Sequence, residues 1–380
     1  MQYARRIALT AVIACLLSDF ALAQGQPTKV TLVSSTVNPP SISNIYYLAA
    51  MDSAFRKHGL DVQLQQSSGS PSSLAAIVSS RAEFASIAVT TLANAAAEGV
   101  KAKMVVTGNF DFPGMILSTQ RIQSVKDLEG KRMGASAIGS MEYTIARSYM
   151  KKQGVDLAKI EWVATRQTSN TIQAMAVGQI DAAWIVMSSA VSALKTHPQI
   201  KVLVDAETLA RANPNPGGAV VTTDRYTAQN AKTMEAMVGA VIEANRALYN
   251  DRGFFDRVVD KWFPGIYSSE QKDMLYRAYR PSWGVNGGMP LGVMRSALDN
   301  WKTDVNPDRA NNPHFSKVEE LMDTRFAAKV LGEIGVMPDV LDTAECQGHA
   351  ITASVAADGR FTMTNTRNGF SKSYTARRAN

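Results

Sequence analysis

From residue 29 the chain alternates short apolar runs with stretches whose apolar positions recur every three or four residues. That alternation predicts strands followed by helices. Val30, Thr31, Leu32 and Val33 read as a strand. Residues 43–58 read as a helix, with Ile45, Tyr47, Leu48, Met51 and Phe55 on one face and Gly59 just past its end. Strands are predicted at 60–65, 84–88 and 102–107, and helices at 70–79 and 90–98. Ser70-Pro71 opens the first of these two helices, because proline suits the first helical turn. The pattern then restarts, with strands at 132–135, 160–165, 182–186 and 201–204 and helices at 140–153, 169–177 and 188–195. A hinge-like stretch, Asn213-Pro214-Asn215-Pro216-Gly217-Gly218, precedes a strand at 219–222. Residues 227–335 are mainly helical, over 227–249, 254–262, 268–279 and 291–301. The last part differs. Strand-like runs at 351–355, 360–364 and 370–375 are separated by Asp358-Gly359 and Asn368-Gly369, turn pairs that predict a three-stranded meander.

Strands alternating with helices imply mostly parallel sheets covered on both faces, so the predicted class is α/β in two similar units. The 380 residues, 46% hydrophobic and 19% charged, are enough for two domains or one bilobal body with a large core. Arg5 and Arg6, the apolar run from Ile7 to Leu17 and the small-residue site Ala21-Leu22-Ala23 predict a secretory signal peptide over 1–23. A competing reading acylates Cys15. Leu16, Leu17 and Phe20 continue the apolar run beyond it, which favours the soluble, exported reading. Removing Arg5, Arg6 and Asp19 takes the net charge from +7 to +6. Two cysteines, Cys15 and Cys346, make no disulfide framework. The basic residues are scattered without an aromatic stripe, which argues against nucleic-acid binding.

His58, His197, His314 and His349 stand in unrelated contexts, and no nucleophile elbow, phosphate loop or metal-ligand spacing occurs. The expectation is therefore no catalysis, no cofactor and no metal. What recurs is a polar loop between a strand's carboxyl end and the next helix. In the first unit these loops carry Ser34, Thr36 and Asn38, then Ser67 to Ser70, then Thr90, then Asn109-Phe110-Asp111. In the second they carry Ser136 to Ser140, Gln167-Thr168-Ser169 and Met187-Ser188-Ser189. Ligands of open α/β sheets sit beyond the carboxyl ends of the strands, where helix amino termini offer unpaired N–H groups. Serine and threonine are also simply good helix caps, which accounts for any one loop alone. Seven such loops across two units point to a shared polar cleft.

Three passages carry a family resemblance. Asp52 to Gly59 with Leu60-Asp61-Val62, Asp127-Leu128-Glu129-Gly130-Lys131-Arg132-Met133-Gly134, and Gly178-Gln179-Ile180-Asp181-Ala182-Ala183-Trp184 occur in order over about residues 29–335. In these the chain resembles the type II periplasmic binding proteins, nearest the nitrate/sulfonate/taurine-type group with its thiamine-precursor-like branch. The resemblance implies two lobes joined by crossover strands. Lobe 1 would take 24–116 and, on the return, 219–335; lobe 2 would take 117–218, and 336–380 would be an extension. It implies the periplasmic, monomeric substrate-binding component of an ABC importer, closing on a small polar or anionic solute and delivering it to a membrane permease. The ligand contacts it implies are Ser34, Thr36, Asn38, Ser70, Thr90, Asn109, Ser136, Ser140 and Gln167. Phe110, Trp184 and Met187 read either as an apolar wall for the guest or as core. Arg166 is the one cationic candidate in those loops. Two other readings stay open: a thiamine-pyrimidine-precursor enzyme, which would need a cysteine-rich iron site, and a ligand sensor using the same cleft.

Overall fold

The computed structural model describes residues 26–34, 37, 41–136, 138, 140–212, 217–288, 290–300, 318–337, 351–355, 360–365 and 370–375. The expected signal peptide, Thr36, Asn38, residues 213–216 and Cys346 lie outside these. The chain forms two compact units, Met1–Val336 and Met337–Asn380.

The first unit opens with β1 (Thr28–Ser34), α1 (Ile45–Ser53), β2 (Leu60–Gln66), α2 (Ser70–Val78), β3 (Phe84–Ala88), α3 (Val89–Ala97) and β4 (Ala102–Thr107). It continues with β5 (Gly114–Thr119), β6 (Arg132–Ala135), α4 (Met141–Lys152), β7 (Glu161–Ala164), α5 (Thr168–Ala176), β8 (Ala182–Val186), α6 (Met187–Thr196), β9 (Ile200–Val204) and α7 (Ala206–Ala212). After β10 (Gly218–Thr223) come α8 (Asp224–Gln229), α9 (Ala231–Asn250), α10 (Arg252–Trp262), α11 (Ser269–Tyr279), α12 (Leu291–Asn300) and α13 (Arg325–Ile334).

Two five-stranded sheets result, in the orders β2-β1-β3-β10-β4 and β7-β6-β8-β5-β9. These are the sheets of the two expected lobes, and they share one plan. Three parallel strands are followed by an antiparallel strand that has come from across the molecule: β10 inserts between β3 and β4, and β5 between β8 and β9. Each sheet is thus mostly parallel, as the alternation predicts, with one antiparallel strand inserted that the alternation did not disclose. No strand was predicted at β5, and the expected boundary between 116 and 117 falls inside it. The chain crosses between Thr107 and Gly114 and returns between Ala212 and Gly218.

The helix predicted over 227–249 is two helices, α8 and α9. Asn230, at φ −131°, breaks it while its side-chain amide donates to the Tyr226 carbonyl at 3.0 Å. Such side-chain-to-backbone bonds compete with helix continuation. The helix predicted over 43–58 ends at Ser53 and unwinds through turns to Gly59, whose φ of +76° suits glycine.

The return helices hold the lobes together. Met234, Met237, Val238, Val241, Ile242 and Leu248 form the buried face of α9, and α10 buries Phe255, Val258 and Val259. They share one core with Tyr46 and Tyr47 of α1 and with Met187 and Val191 of α6. Each fully buried aliphatic or aromatic side chain contributes about 1.5–3 kcal/mol. On α11, buried Gln271 donates to the Val191 carbonyl at 3.3 Å, tying the return segment to α6 of the second lobe.

The second unit contains β11 (Ile351–Val355), β12 (Arg360–Asn365) and β13 (Phe370–Thr375) in an antiparallel meander, with Val355 opposite Phe361 and Phe361 opposite Tyr374. The meander predicted from the two turn pairs is present.

Candidate functional site

The carboxyl ends of the first sheet are Ser34, Gln66, Ala88 and Thr107. Parallel pairing sets Ser34 beside Gln66, so the β1 and β2 loops leave the sheet side by side. Ser34 is buried, and the Tyr47 phenol donates to its hydroxyl at 3.5 Å. Gln66 accepts from the Val37 amide at 2.9 Å. Ser70 accepts from the Ala88 amide at 3.3 Å, fixing the start of α2 to the end of β3. The serine-rich loop before α2 largely satisfies itself, with Ser67 and Ser73 hydroxyls 2.6 Å apart and Ser72 donating to the Gly69 carbonyl. Thr90 is exposed on the first turn of α3. Neither α2 nor α3 begins with a side-chain cap, since Gly69 and Ala88 occupy those positions. Their first N–H groups therefore lack that internal partner.

Beneath this rim lies a buried polar node. The Tyr46 and Ser86 hydroxyls are 2.6 Å apart, and Ser86 reaches the Asn44 carboxamide oxygen at 3.5 Å. Burial pushes the Tyr46 phenol well above its ordinary pKa, and the Ser86 bond offsets only part of that. Asn109 belongs to the same node: its carboxamide oxygen accepts from the Gly218 amide at 2.8 Å and its nitrogen donates to the Asp111 carbonyl at 3.0 Å.

On the second sheet, Ser140 caps α4 by accepting from the Tyr143 amide at 3.4 Å. Ser136 is half-buried and Gln167 exposed. Between them Arg166 takes a left-handed backbone, φ +73°, with its amide bonded to the Ser136 carbonyl at 2.9 Å. Such a conformation is uncommon for a residue other than glycine and is often tied to function. The helices α5 and α6 begin at Gln167 and Val186 without side-chain caps. Their first turns contribute Ser169, Ser188 and Ser189 to a cavity of about 410 Å³, which runs on along α6 past Ser192 and Ala193 to Thr196 and His197 and is also lined by Ile172 and Tyr267. Burial raises the Tyr267 phenol pKa, opposed by its hydrogen bond with Ser188.

Of the side chains expected at a ligand, Thr90, Ser136 and Gln167 keep solvent access, while Ser34, Ser70, Asn109 and Ser140 are engaged by the protein itself. Phe110 and Trp184, readable as apolar wall or as core, are core: each is 2% exposed, and they sit in different clusters. The Phe110 amide is tied to the Ser282 carbonyl at 2.8 Å, and Trp184, on the central strand β8, covers Gly114, where a Cβ would meet its ring. Met187 is likewise buried. The loop Asn109-Phe110-Asp111 leads into strand β5 and not, as expected, into a helix. Tyr267 was not foreseen. It comes from the turn before α11, far along the chain, and no local pattern marks it. Among the described residues no group of three or more His, Cys, Asp or Glu could hold a metal ion, and no helix is long and apolar enough to cross a membrane. The groups gathered at the two rims are hydroxyls, carboxamides, helix-start amides and one guanidinium: hydrogen-bonding equipment for a polar guest.

The sequence model of the family described as NMT1/THI5 like matches residues 42–252. A protein of Brucella abortus named as a binding protein is 24% identical over 228 residues, covering 60% of this chain and 69% of its own. Among solved structures, the periplasmic sulfonate-binding protein SsuA of Methylobacillus flagellatus aligns with a TM-score of 0.65 at 16% identity, over 81% of this chain and 95% of its own. The periplasmic nitrate-binding protein NrtA of Synechocystis aligns with a TM-score of 0.58 at 11% identity, over 90% and 97%. The fold is that of these two-lobed periplasmic binding proteins.

Proposed function

The chain belongs to the NMT1/THI5 like family, and from that premise we propose that it is the exported substrate-binding component of an ABC importer. It takes a small polar or anionic organic solute between its lobes and hands it to a membrane permease. One observation carries this reading. Four helices that follow the carboxyl ends of strands, α2 and α3 in one lobe and α5 and α6 in the other, begin without side-chain caps. Of the other helices, α4, α8, α10 and α11 are capped by Ser140, Thr223, Asp251 and Ser268, while α1, α9 and α13 are not. Uncapped amino termini attract negative or hydrogen-bond-accepting groups through free N–H donors and the helix dipole.

The contacts proposed are Thr90, Ser136, Gln167 and Arg166, with Ser34, Thr36, Asn38, Ser70, Asn109 and Ser140 available once the lobes approach. Each hydrogen bond contributes about 0.5–1.5 kcal/mol net, and one to a charged partner about 1.5–3. Several together reach the micromolar range, about −8 kcal/mol. The names of the structural neighbours point first to sulfonates and nitrate; carboxylates and pyrimidine-like heterocycles satisfy the same donors. A ligand bonding both lobes only when closed would draw the protein toward closure. The test is a thermal-shift and calorimetric panel over sulfonates, carboxylates, nitrate and pyrimidines. A true ligand at one hundred times its Kd adds about 2.7 kcal/mol of stability. If no solute of these classes shifts the melt or releases heat, the reading is wrong.

A further inference from the structure

A cavity of about 470 Å³ opens at the edge of the first sheet opposite the candidate rim. It is lined by Lys103, the second residue of β4, and by Asp224, which follows the end of antiparallel β10. Four residues of strand, roughly 13 Å, separate Lys103 from Thr107 at the rim. A volume of this size suits a small molecule.

Among the described residues its wall carries the cations Lys103, Arg325 and Lys329 and the anions Asp224, Glu235 and Asp323. Two pairs close on themselves. Buried Asp323 accepts from Arg325 through both oxygens, at 2.9 and 2.7 Å, and Lys329 reaches Glu235 at 2.6 Å. Lys103 and Asp224 stay open. Each is half-buried, and neither side chain has an ion pair or hydrogen bond to a described residue. Their charges act only across space, Lys103 on Asp323 and Asp224 on Arg325. Charges drawn partly out of water are ordinarily paired, because losing hydration without a partner costs free energy.

The fold holds this open pair in place. Register sets Lys103 opposite Thr222, two residues before Asp224, and the Asp224 amide donates to the Lys101 carbonyl at 3.1 Å. A lysine on an edge strand such as β4 commonly guards it against another sheet. Here that edge is already covered: Met322 bridges Met104, and the Asp323 amide donates to the Met104 carbonyl at 2.8 Å. Lys103 therefore has another use. Beside it, Phe326, Ala228 and Ala231 give the cavity an apolar side.

We propose that this cavity is a second binding site, separate from the cleft, for a free α-amino acid with an apolar side chain. The carboxylate of the guest pairs with Lys103, its ammonium pairs with Asp224, and its side chain rests on Phe326, Ala228 and Ala231. A simple anion meets repulsion from Asp224, Glu235 and Asp323, and a simple cation meets it from Lys103, Arg325 and Lys329. Only a molecule bearing both charges matches both open groups. The site stands apart from the transport reading, since none of its residues lies at the rim.

An NMR titration of full-length protein carrying methyl-labelled alanine, with L-leucine and L-phenylalanine as probes, tests this. The Ala228 and Ala231 methyls report the cavity, and Ala88, at the carboxyl end of β3, reports the rim. Saturable shifts of Ala228 and Ala231 are expected, with Ala88 unmoved. Lys103→Met and Asp224→Asn should each weaken leucine binding about tenfold or more. Isocaproate and isoamylamine, which each lack one of leucine's charged groups, should bind the parent protein weaker by a similar factor, and they decide the charge requirement even where a variant melts early. No saturable shift at Ala228 and Ala231 with either amino acid would overturn the site, as would a shift confined to Ala88. Half-molecules that bind as tightly as leucine would overturn it too. Failure of every solute in the cleft panel would sink the transport reading and leave this result standing.

Discussion

The Tyr46 phenol stands 2.6 Å from the Ser86 hydroxyl, and the Tyr46 ring occupies the space over Gly108, where a Cβ would lie 2.2 Å from ring carbons. The contact joins α1, β3 and the start of the lobe crossing. Tyr46→Phe removes one buried hydrogen bond and keeps the ring, so it should cost about 0.5–1.5 kcal/mol. Gly108→Ala drives a methyl into a packed ring and should cost more, about 1–3 kcal/mol. Urea denaturation of both variants gives the order, and a larger loss for Tyr46→Phe would contradict it.

Burial holds the Tyr46 and Tyr279 phenols well above the ordinary value near 10, against the smaller opposing effect of their bonds to Ser86 and Ser43. Their folded pKa values are raised, so the unfolded chain releases these protons first. The stability they contribute is complete below about pH 10 and declines above it. Alkaline melts should therefore steepen beyond pH 10, and Tyr46→Phe should flatten that slope. Equal slopes in the variant and the parent would refute the assignment.

At the acid end, burial alone would raise the Asp181 carboxyl. Hydrogen bonds from the Arg132 side chain and amide, together with its charge, reverse this and leave the pKa below the ordinary value. A depressed carboxylate stabilises the fold above its unfolded pKa near 4, and that contribution is lost as pH falls through the folded value. Asp181→Asn should cost about 1 kcal/mol at pH 7, reduced by solvent screening of the half-exposed Arg132. Below about pH 3 the difference from the parent should shrink; a penalty that persists there would mean the loss is not electrostatic.

Much of the fold was legible because several strands are apolar runs between strong punctuation. Residues 84–88, 102–107, 132–135 and 182–186 were placed as the structure has them. Strand β5 escaped because Gly114-Met115-Ile116-Leu117 carries no local sign of an antiparallel insertion. That role is fixed by pairing with Trp184 and Val204, each about 70 residues or more away. The site was half legible for a similar reason. Residue type put hydroxyls at the carboxyl edges, but whether one faces a guest or the protein depends on partners remote in sequence, as Ala88 is for Ser70 and Gly218 for Asn109. Tyr267 enters the second lobe's cavity from the return helices, which no periodicity could disclose.

The C-terminal meander falls in a compact unit of its own, Met337–Asn380. A chain ending at Val336 should keep the main melting transition within about 2 °C of the full chain, since no strand of the two large sheets is removed. Calorimetry of both lengths checks this. A shift of the main transition by 5 °C or more would show that the tail braces the lobes.

Arg166 presents a conflict between local stability and use. Its left-handed backbone costs an L-residue about 1–2 kcal/mol, while glycine adopts it freely at an entropic cost of about 0.5–1 kcal/mol. Arg166→Gly should therefore stabilise the protein by about 0.5–1 kcal/mol. The amide bond to the Ser136 carbonyl survives the change, so the loop keeps its course. The guanidinium is lost, and with it a charge-assisted bond to an anionic guest, which should weaken sulfonate or carboxylate binding about tenfold or more while sparing neutral heterocycles. Arg166→Lys should recover part of the affinity and none of the stability, because lysine meets the same backbone penalty and forms no forked pair. Melting curves and titrations on the three proteins separate these effects. A glycine variant that melts higher and binds anions as well as the parent would make the strained arginine a feature of the loop and not of the site.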